Sequence, residues 1–160
     1  MTAQRKSDKA DEVIWTLLEG FERGIIELYK AGKYSDAISH AEALVRVSEK
    51  AFGRDDPRVG RVLIVLAFFF HDQGRYAEAE PLYRRALAIG VKAAGREPPD
   101  DAIALNNLAF LYRQQGRFTE AEQLYRRSLA IFEDALGRDY PYITDVLYNL
   151  FTNSNTKASN

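Results

Sequence analysis

The sequence contains no cysteine, and this absence excludes disulfides, thiolate metal ligands and a cysteine nucleophile together. Its charges nearly cancel, with 22 Lys and Arg against 23 Asp and Glu, so no net charge favours nucleic acid or an anionic membrane surface. The longest apolar run, residues 62–70, is far shorter than the roughly twenty residues that span a bilayer. We therefore expect a soluble, cytoplasmic protein that binds neither nucleic acid nor membranes.

Recognisable catalytic and metal-binding patterns are also missing. The sequence has no glycine-rich phosphate loop, nucleophile elbow or zinc-ligand spacing, and its two histidines do not form a metal-binding pair. The acidic pairs Asp55-Asp56 and Asp100-Asp101 stand beside prolines at predicted helix starts, where capping explains them better than acid–base catalysis. We predict no enzymatic activity, no metal and no cofactor.

What the sequence does contain is an internal repeat with a constant step of 42 residues. Glycines recur at positions 32, 74 and 116, and a second set at 53, 95 and 137 is followed each time by arginine. The same step relates four further sets of residues: Pro57, Pro99 and Pro141; Tyr34, Tyr76 and Phe118; Ala37, Ala79 and Ala121; Leu63, Leu105 and Leu147. Agreement in so many registers predicts a tandem array.

Each repeat is predicted to hold two helices, because a glycine in the left-handed conformation commonly ends a helix. The predicted helices span residues 11–31, 34–52, 57–73, 76–94, 100–115, 118–136 and 141–151. In the first helix we expect Leu17, Phe21, Ile25 and Leu28 to form the buried stripe. Residues 1–10 are predicted to be a polar lead-in, residues 11–151 one solenoid domain, and residues 152–160 a disordered tail that is too polar to pack.

The repeat resembles the tetratricopeptide repeat (TPR), in the lengthened form found in kinesin light chains. The family pattern on a first helix is a large residue, then leucine with a small residue, then an aromatic. Two units match it: Leu105, Leu108, Ala109 and Tyr112, and Leu63, Leu66, Ala67 and Phe70. The resemblance covers about residues 12–151 and implies an all-α fold, a right-handed TPR superhelical solenoid of antiparallel helix pairs. It would contain about three repeats plus one terminal helix.

First helices line the concave side of such a solenoid. The resemblance therefore implies a non-catalytic protein–protein interaction module, an adaptor or scaffold that binds a peptide or protein partner in its concave groove. The positions expected to contact the partner are Arg61, Ile64, Phe68, Asn106, Asn107, Phe110, Arg113, Tyr148 and Asn149.

Two amides stand out in this set. By resemblance to the family, Asn107 would bracket the backbone of an extended peptide with one donor and one acceptor, and Asn149 lies one repeat later. The alternative is that both are inherited repeat residues whose amides bind water.

Two aromatics provide a second feature of the predicted groove. Phe68 and Phe110 would form an apolar slot for an anchoring side chain, with Arg61 and Arg113 at its rim. The alternative is that the aromatic rings are buried between helices and the arginines are solvated.

A second hypothesis is a self-assembling structural module that forms a homo-oligomer. Residues 62–70 are apolar without a break, and a helix that is apolar all round must be covered all round. The predicted fourth repeat also lacks its second helix. Apolar helix faces and this unfinished repeat would then mediate the assembly.

Overall fold

The computed structural model describes residues 3–94, 99–136 and 141–159, and the side chains of residues 8–93, 100–135 and 145–159. These residues form seven helices: α1 (Ala3–Lys30), α2 (Tyr34–Phe52), α3 (Pro57–Asp72), α4 (Tyr76–Ala94), α5 (Pro99–Gln114), α6 (Phe118–Leu136) and α7 (Pro141–Ser159). The predicted all-α fold is confirmed. The predicted Gly-Arg turns at residues 95–96 and 137–138 lie outside the described residues.

Local signals explain where the helices begin and end. At the start of α3, the Asp56 carboxylate accepts a hydrogen bond of 2.9 Å from the backbone N–H of Arg58, and Pro57 occupies the first turn, where its missing N–H costs nothing. Four glycines at positions 32, 53, 74 and 116 have φ between 72° and 93°, which side chains other than glycine rarely adopt. The predicted turns are confirmed at these positions.

An arginine after the turn glycine fastens two of the helix pairs. The N–H of Arg75 donates to the carbonyl of Phe70 (2.8 Å), while its guanidinium lies 4.5 Å from the Phe70 ring centroid and pairs with Glu78. Arg117 repeats this arrangement one period later, 3.7 Å from the ring centroid of Tyr112. We call this arrangement the arginine clasp; it joins a helix end to the start of the next helix through both backbone and side chain.

The helices pack in chain order, each against the next, and the first helices of neighbouring pairs also touch. Tyr29 of α1 stacks on Phe69 of α3 with ring centroids 4.1 Å apart. The positions of the family pattern form the core, since Leu63, Leu105, Ala67 and Ala109 and their partners on the second helices are buried. Packing between neighbours in sequence is the defining property of a solenoid.

The apolar run in α3 is covered almost completely by its own chain. Residues 62–70 are buried except Val65, which is half-buried, and Phe68, which is exposed. The sequence predicts that this run needs a further covering surface. In the structure, only the ring of Phe68 is exposed and could require one. α3 packs against α2, α4 and α5, and this central position explains why it needs apolar residues on so many sides.

The structure differs from the prediction at the start of the chain. Helix α1 begins at Ala3 rather than near residue 11. The predicted stripe is wrong for Leu17 and Phe21, which are exposed, whereas Leu18 and Ile25 are buried. The error has a physical cause: an apolar stripe predicts burial only if another helix lies against it, and in the described structure none covers this side of α1.

The predicted disordered tail is wrong for residues 152–159, which continue α7 to Ser159. Asn153 is completely buried, and its side-chain nitrogen donates a 3.0 Å hydrogen bond to the carbonyl of Phe118 in α6. The hydroxyl of Thr156 donates to the carbonyl of Thr152 one turn earlier. The segment packs although it is polar, because several of its side chains, among them the Asn153 nitrogen, find hydrogen-bond partners inside the protein.

Candidate partner-binding surface

The first helices α1, α3, α5 and α7 carry the residues predicted to face the groove. Phe68, Tyr148 and Arg61 are exposed. Ile64 is buried. The remaining members of the predicted set are half-buried: Asn106, Asn107, Phe110, Arg113 and Asn149.

Arg61 forms ion pairs within its own chain. Its guanidinium lies 3.2 Å from a carboxylate oxygen of Glu19 and 3.4 Å from one of Glu22, both in α1. Glu22 is buried, and this burial raises the pKa of its carboxyl group despite the opposing effect of Arg61. The two carboxylates compensate the charge of Arg61, so Arg61 has little charge left to attract an acidic ligand.

The predicted slot between Phe68 and Phe110 is not formed by direct contact of the two rings. Phe110 packs against His71 at 5.1 Å and against Tyr76 at 6.2 Å between ring centroids, at the junction of α3, α4 and α5. Phe68 instead lies 6.4 Å from the neighbouring ring of Phe69. Phe110 is thus largely an inter-helix packing residue, whereas Phe68 presents its ring to solvent.

His71 is enclosed by this aromatic cluster. Burial lowers the pKa of its imidazole, and the nearby carboxylate of Asp72 opposes the shift only partly. Its Nδ1 atom is buried and has no hydrogen-bond partner among the described residues. The imidazole is therefore part of the packing, in surroundings that disfavour its charged form.

The predicted amides are tied to the protein, each in a different way. The Asn107 side-chain nitrogen donates a 3.0 Å hydrogen bond to the buried hydroxyl of Tyr83 in α4. The Asn149 side-chain nitrogen donates instead to the side-chain oxygen of Asn106, at 3.2 Å across the α5–α7 contact. In the part of the chain that the structure describes, no hydrogen bond reaches the side-chain oxygen of Asn107 or Asn149. Both oxygens thus remain available as acceptors.

Sequence reasoning missed a hydrogen-bonded group at the last turn of α1. The hydroxyl of Tyr29 donates to the Asp72 carboxylate at 2.6 Å and accepts from the side chain of Gln73 at 2.8 Å. Burial, and then the bond to Asp72, raise the pKa of Tyr29 to about 12. Tyr29, His71 and Arg113 are in register at the 42-residue step, and this register was the available signal.

Arg113 occupies the same register position as Tyr29 and His71, near the C-terminal end of the array. Its guanidinium donates to the hydroxyl of Thr156 in α7 at 3.4 Å. The group predicted as a rim residue therefore also helps to position the last helix. Sequence reasoning could not place Thr156 opposite it, because residue 156 was assigned to a disordered tail.

Two further concavities lie away from this row of helices. A cleft of about 770 Å³ between α4 and α6 has Leu108 and Tyr112 among its lining residues. Its cations include Arg84 and Lys92, which already pair with carboxylates of the chain. An apolar groove of about 210 Å³ lies between α1 and α2, lined by Leu18, Phe21, Ile25, His40, Ala43, Leu44 and Val47.

Neither a metal-binding cluster nor a membrane-spanning helix is found among the described residues. They contain no group of three or more His, Asp or Glu side chains placed to hold a metal ion. Within the same residues, every helix is too short or too polar to cross a membrane. The surface offers exposed aromatic rings and amide oxygens along stacked helices, which define a helical-repeat binding protein.

Family comparisons agree with this class. One sequence model of the tetratricopeptide repeat matches residues 14–90, and a second matches residues 102–142. The chain belongs to the tetratricopeptide repeat family, and it folds as a right-handed TPR superhelical solenoid of the lengthened, kinesin light chain-like type. No curated protein matches the chain with significance.

Solved structures show the same fold at low sequence identity. BtubC (BKLC) from P. vanneervenii has a TM-score of 0.73 and 22% identity, over 89% of this chain but 58% of that one. A Podosopora anserina protein, described as a kinesin light chain with nearly identical TPR-like repeats, has a TM-score of 0.77 and 21% identity, over 91% and 70%. The Yersinia enterocolitica type III secretion translocator chaperone SycD has a TM-score of 0.68 and 20% identity, over 88% and 86%.

Proposed function

We propose that the row of first helices α3, α5 and α7 binds an extended segment of a protein partner, without catalysis. The observation that carries this proposal is Phe68, which is 43% exposed in a helix whose other apolar residues are buried or half-buried. Exposed aromatic rings on a concave surface are typical anchors for a partner's apolar side chain. The location in the cytoplasm remains a prediction from composition.

Two asparagine side chains on this row could bind the backbone of the partner's segment. The side-chain oxygens of Asn107 and Asn149 point from two successive first helices, and each side-chain nitrogen is already fixed by a bond to Tyr83 or Asn106. An amide held on its nitrogen side has a fixed orientation, so its oxygen can accept from a peptide N–H at a low entropic cost. This role differs from bracketing by donor and acceptor together, because the donor of Asn107 is occupied.

Charge is only partly balanced within this surface. Arg61 is paired with Glu19 and Glu22. Arg23 on α1 is exposed, and Arg113 donates to the neutral hydroxyl of Thr156, which orients its guanidinium but does not neutralise the charge. We therefore expect a segment anchored by an apolar or aromatic side chain, in which acidic residues are secondary to the anchor.

The test uses a random peptide library displayed on phage, selected on the immobilised full chain. We expect enriched peptides to share an aromatic or aliphatic residue, and to lose at least tenfold in affinity for Phe68→Asp. Val91→Asp is the matched control, because Val91 is exposed to a similar degree but lies on a second helix, α4. Enriched peptides that bind Phe68→Asp as well as wild type would refute the proposal.

A further inference from the structure

Both ends of the solenoid leave large apolar side chains in solvent. At the N-terminal end, Leu17 and Phe21 on α1 are 61% and 65% exposed, and Val47 on α2 flanks the same groove. At the C-terminal end, Leu147 and Phe151 on α7 are 46% and 65% exposed. Each pair is spaced four residues apart, so each forms an apolar ridge along one helix face.

The repeat register shows what is missing at the N-terminal end. Leu17, Phe21 and Val47 correspond, one period later, to Val59, Leu63 and Ile89, which are 0%, 1% and 3% exposed. Ile89 lies against Gly60 of α3, and α3 also packs against α2. The exposed residues on α1 and α2 therefore leave open, in the described structure, positions that are buried in the second repeat.

The shape of this surface is that of a groove. Leu18 and Ile25 stand where the second repeat has Gly60 and Ala67, at positions facing the second helix of the pair. A Cβ atom on Gly60 would lie 3.4 Å from the side chain of Ile89, so α3 and α4 are in close contact there. Larger side chains at the same positions of the first pair leave the apolar groove of about 210 Å³ between α1 and α2.

Two glycines make the α1 face accessible at close range. Gly20 and Gly24 are in register with the buried Val62 and Leu66, and no atom lies within 4 Å of where their Cβ atoms would be. Glycine is unfavourable within a helix, and nothing in the described structure requires it at these two positions. Both glycines permit another helix to approach α1 closely.

We propose that α7 of a second copy binds the α1/α2 groove, head to tail, with Leu147 and Phe151 packed against Leu17, Phe21 and the two glycines. The same chain carries both an open apolar groove and a helix whose apolar ridge is exposed in the described structure. Asn153 and Arg113 anchor the inner side of α7, so its apolar ridge is presented as an ordered helix. In this contact, each copy covers apolar side chains that its own described helices leave exposed.

The contact is heterologous, since it joins different surfaces of the two copies. A copy bound at one end still has a free surface at the other, so association continues with rising concentration rather than stopping at a dimer. This growth distinguishes the proposal from a two-fold dimer. It can be tested separately from peptide binding on the first-helix row, because Phe68 belongs to neither end.

The decisive experiment mixes two variants and measures mass by sedimentation velocity and light scattering. Phe21→Asp places a charge in the α1/α2 groove and leaves the α7 ridge unchanged. Phe151→Asp places a charge on the α7 ridge and leaves the groove unchanged. We expect each variant alone to be monomeric, an equimolar mixture to form a 1:1 dimer that grows no further, and wild type to form larger species with increasing concentration. Leu17→Asp and Leu147→Asp repeat the test, and circular dichroism checks the helical content of all four variants.

Three outcomes would overturn the proposal. A wild-type chain that stays monomeric at the highest soluble concentration has no such contact. Self-association that persists in Phe21→Asp would indicate contact between two α7 helices, and persistence in Phe151→Asp would indicate contact between two grooves. Phe68→Asp is the control for nonspecific loss of an exposed aromatic ring, and we expect it to associate as wild type does.

A glycine variant gives an independent readout. Gly24→Ala adds a methyl group in open space within a helix, so it should raise the melting temperature of the dilute monomer. The same methyl group should weaken association several-fold, because it separates the docked helices. A Gly24→Ala variant whose melting temperature and self-association both rise, or both fall, would contradict the proposed close approach of the two helices.

Discussion

Tyr83 and Tyr125 occupy the same position one period apart, and both side chains are completely buried. The hydroxyl of Tyr83 accepts a hydrogen bond from Asn107, whereas the hydroxyl of Tyr125 has no partner among the described residues. Burial raises the pKa of both phenols. One period earlier than Tyr83 and Asn107, the corresponding residues are Ala41 and Val65, so the polar pair is replaced there by an apolar one.

This difference predicts opposite effects of the same substitution. Tyr83→Phe should lower the free energy of unfolding by about 1 kcal/mol, because it leaves the Asn107 amide without its partner. Tyr125→Phe should be neutral or stabilising, because it removes an unsatisfied buried hydroxyl. Urea denaturation of the two variants measures both effects, and an equal loss in both would contradict the assigned hydrogen bonding.

The Tyr83 bond also changes how Asn107 can be tested. Asn107→Ala should cost about 1–3 kcal/mol of stability in addition to any loss of peptide binding, since the buried Tyr83 hydroxyl would be left unpaired. The double variant Asn107→Ala with Tyr83→Phe should recover part of that loss. Binding measured in the double variant then isolates the role of the amide oxygen.

His71 predicts a pH dependence of stability. Burial lowers its pKa below the usual 6.5, so the unfolded chain binds this proton more readily than the folded chain. The stabilising contribution is fully present above about pH 6.5 and is lost as the pH falls toward the folded pKa. We expect His71→Phe to show a smaller drop in melting temperature than wild type between about pH 7.5 and 5.5, and an equal drop in both proteins would contradict this assignment.

At the scale of helices, α7 depends on a residue in its polar half. Asn153→Ala should remove the bond to Phe118 and loosen residues 152–159 from α6. Hydrogen exchange should then become faster by an order of magnitude or more in these residues, while α2 to α4 keep their protection. Asn155→Ala is the matched control because Asn155 is exposed. Equal exchange in both variants would show that Asn153 does not anchor the helix.

Most helix boundaries were predictable because glycine and proline mark them at a fixed step. Asp56, Pro57 and the turn glycines act through local backbone geometry, which does not depend on distant contacts. Other features depend on which surfaces meet. Neighbouring helices decide whether Phe21 is covered and whether Asn153 bonds to the Phe118 carbonyl. The local sequence does not show which helices these will be.

The candidate surface was predictable in part for the same reason. The register assigned positions to the first helices correctly, since these follow from the repeat. The partners of those side chains did not follow from it: Asn107 and Asn149 are one period apart but donate to Tyr83 and Asn106, respectively. Small differences between neighbouring repeats decide which bond is formed.

At the scale of the whole molecule, the centre of the array should control overall stability. Leu63 of α3 is 1% exposed, in a helix that packs against α2, α4 and α5. Leu63→Ala should cost about 2–5 kcal/mol and shift the entire unfolding transition. Leu147→Ala, at the corresponding exposed position of α7, should change the free energy of unfolding by less than about 1 kcal/mol. Urea denaturation followed by circular dichroism distinguishes the two.

The arginine clasp makes the repeats interchangeable. Deleting residues 75–116 joins Gly74 directly to Arg117, which would then lie over Phe70 instead of Tyr112 and still have Glu120 within reach. Such a shortened chain should fold cooperatively into a smaller solenoid, while a deletion of equal length starting inside a helix should not; circular dichroism during heating distinguishes the two. The clasp thus marks a repeat boundary at which whole units can be removed or duplicated to shorten or lengthen the array.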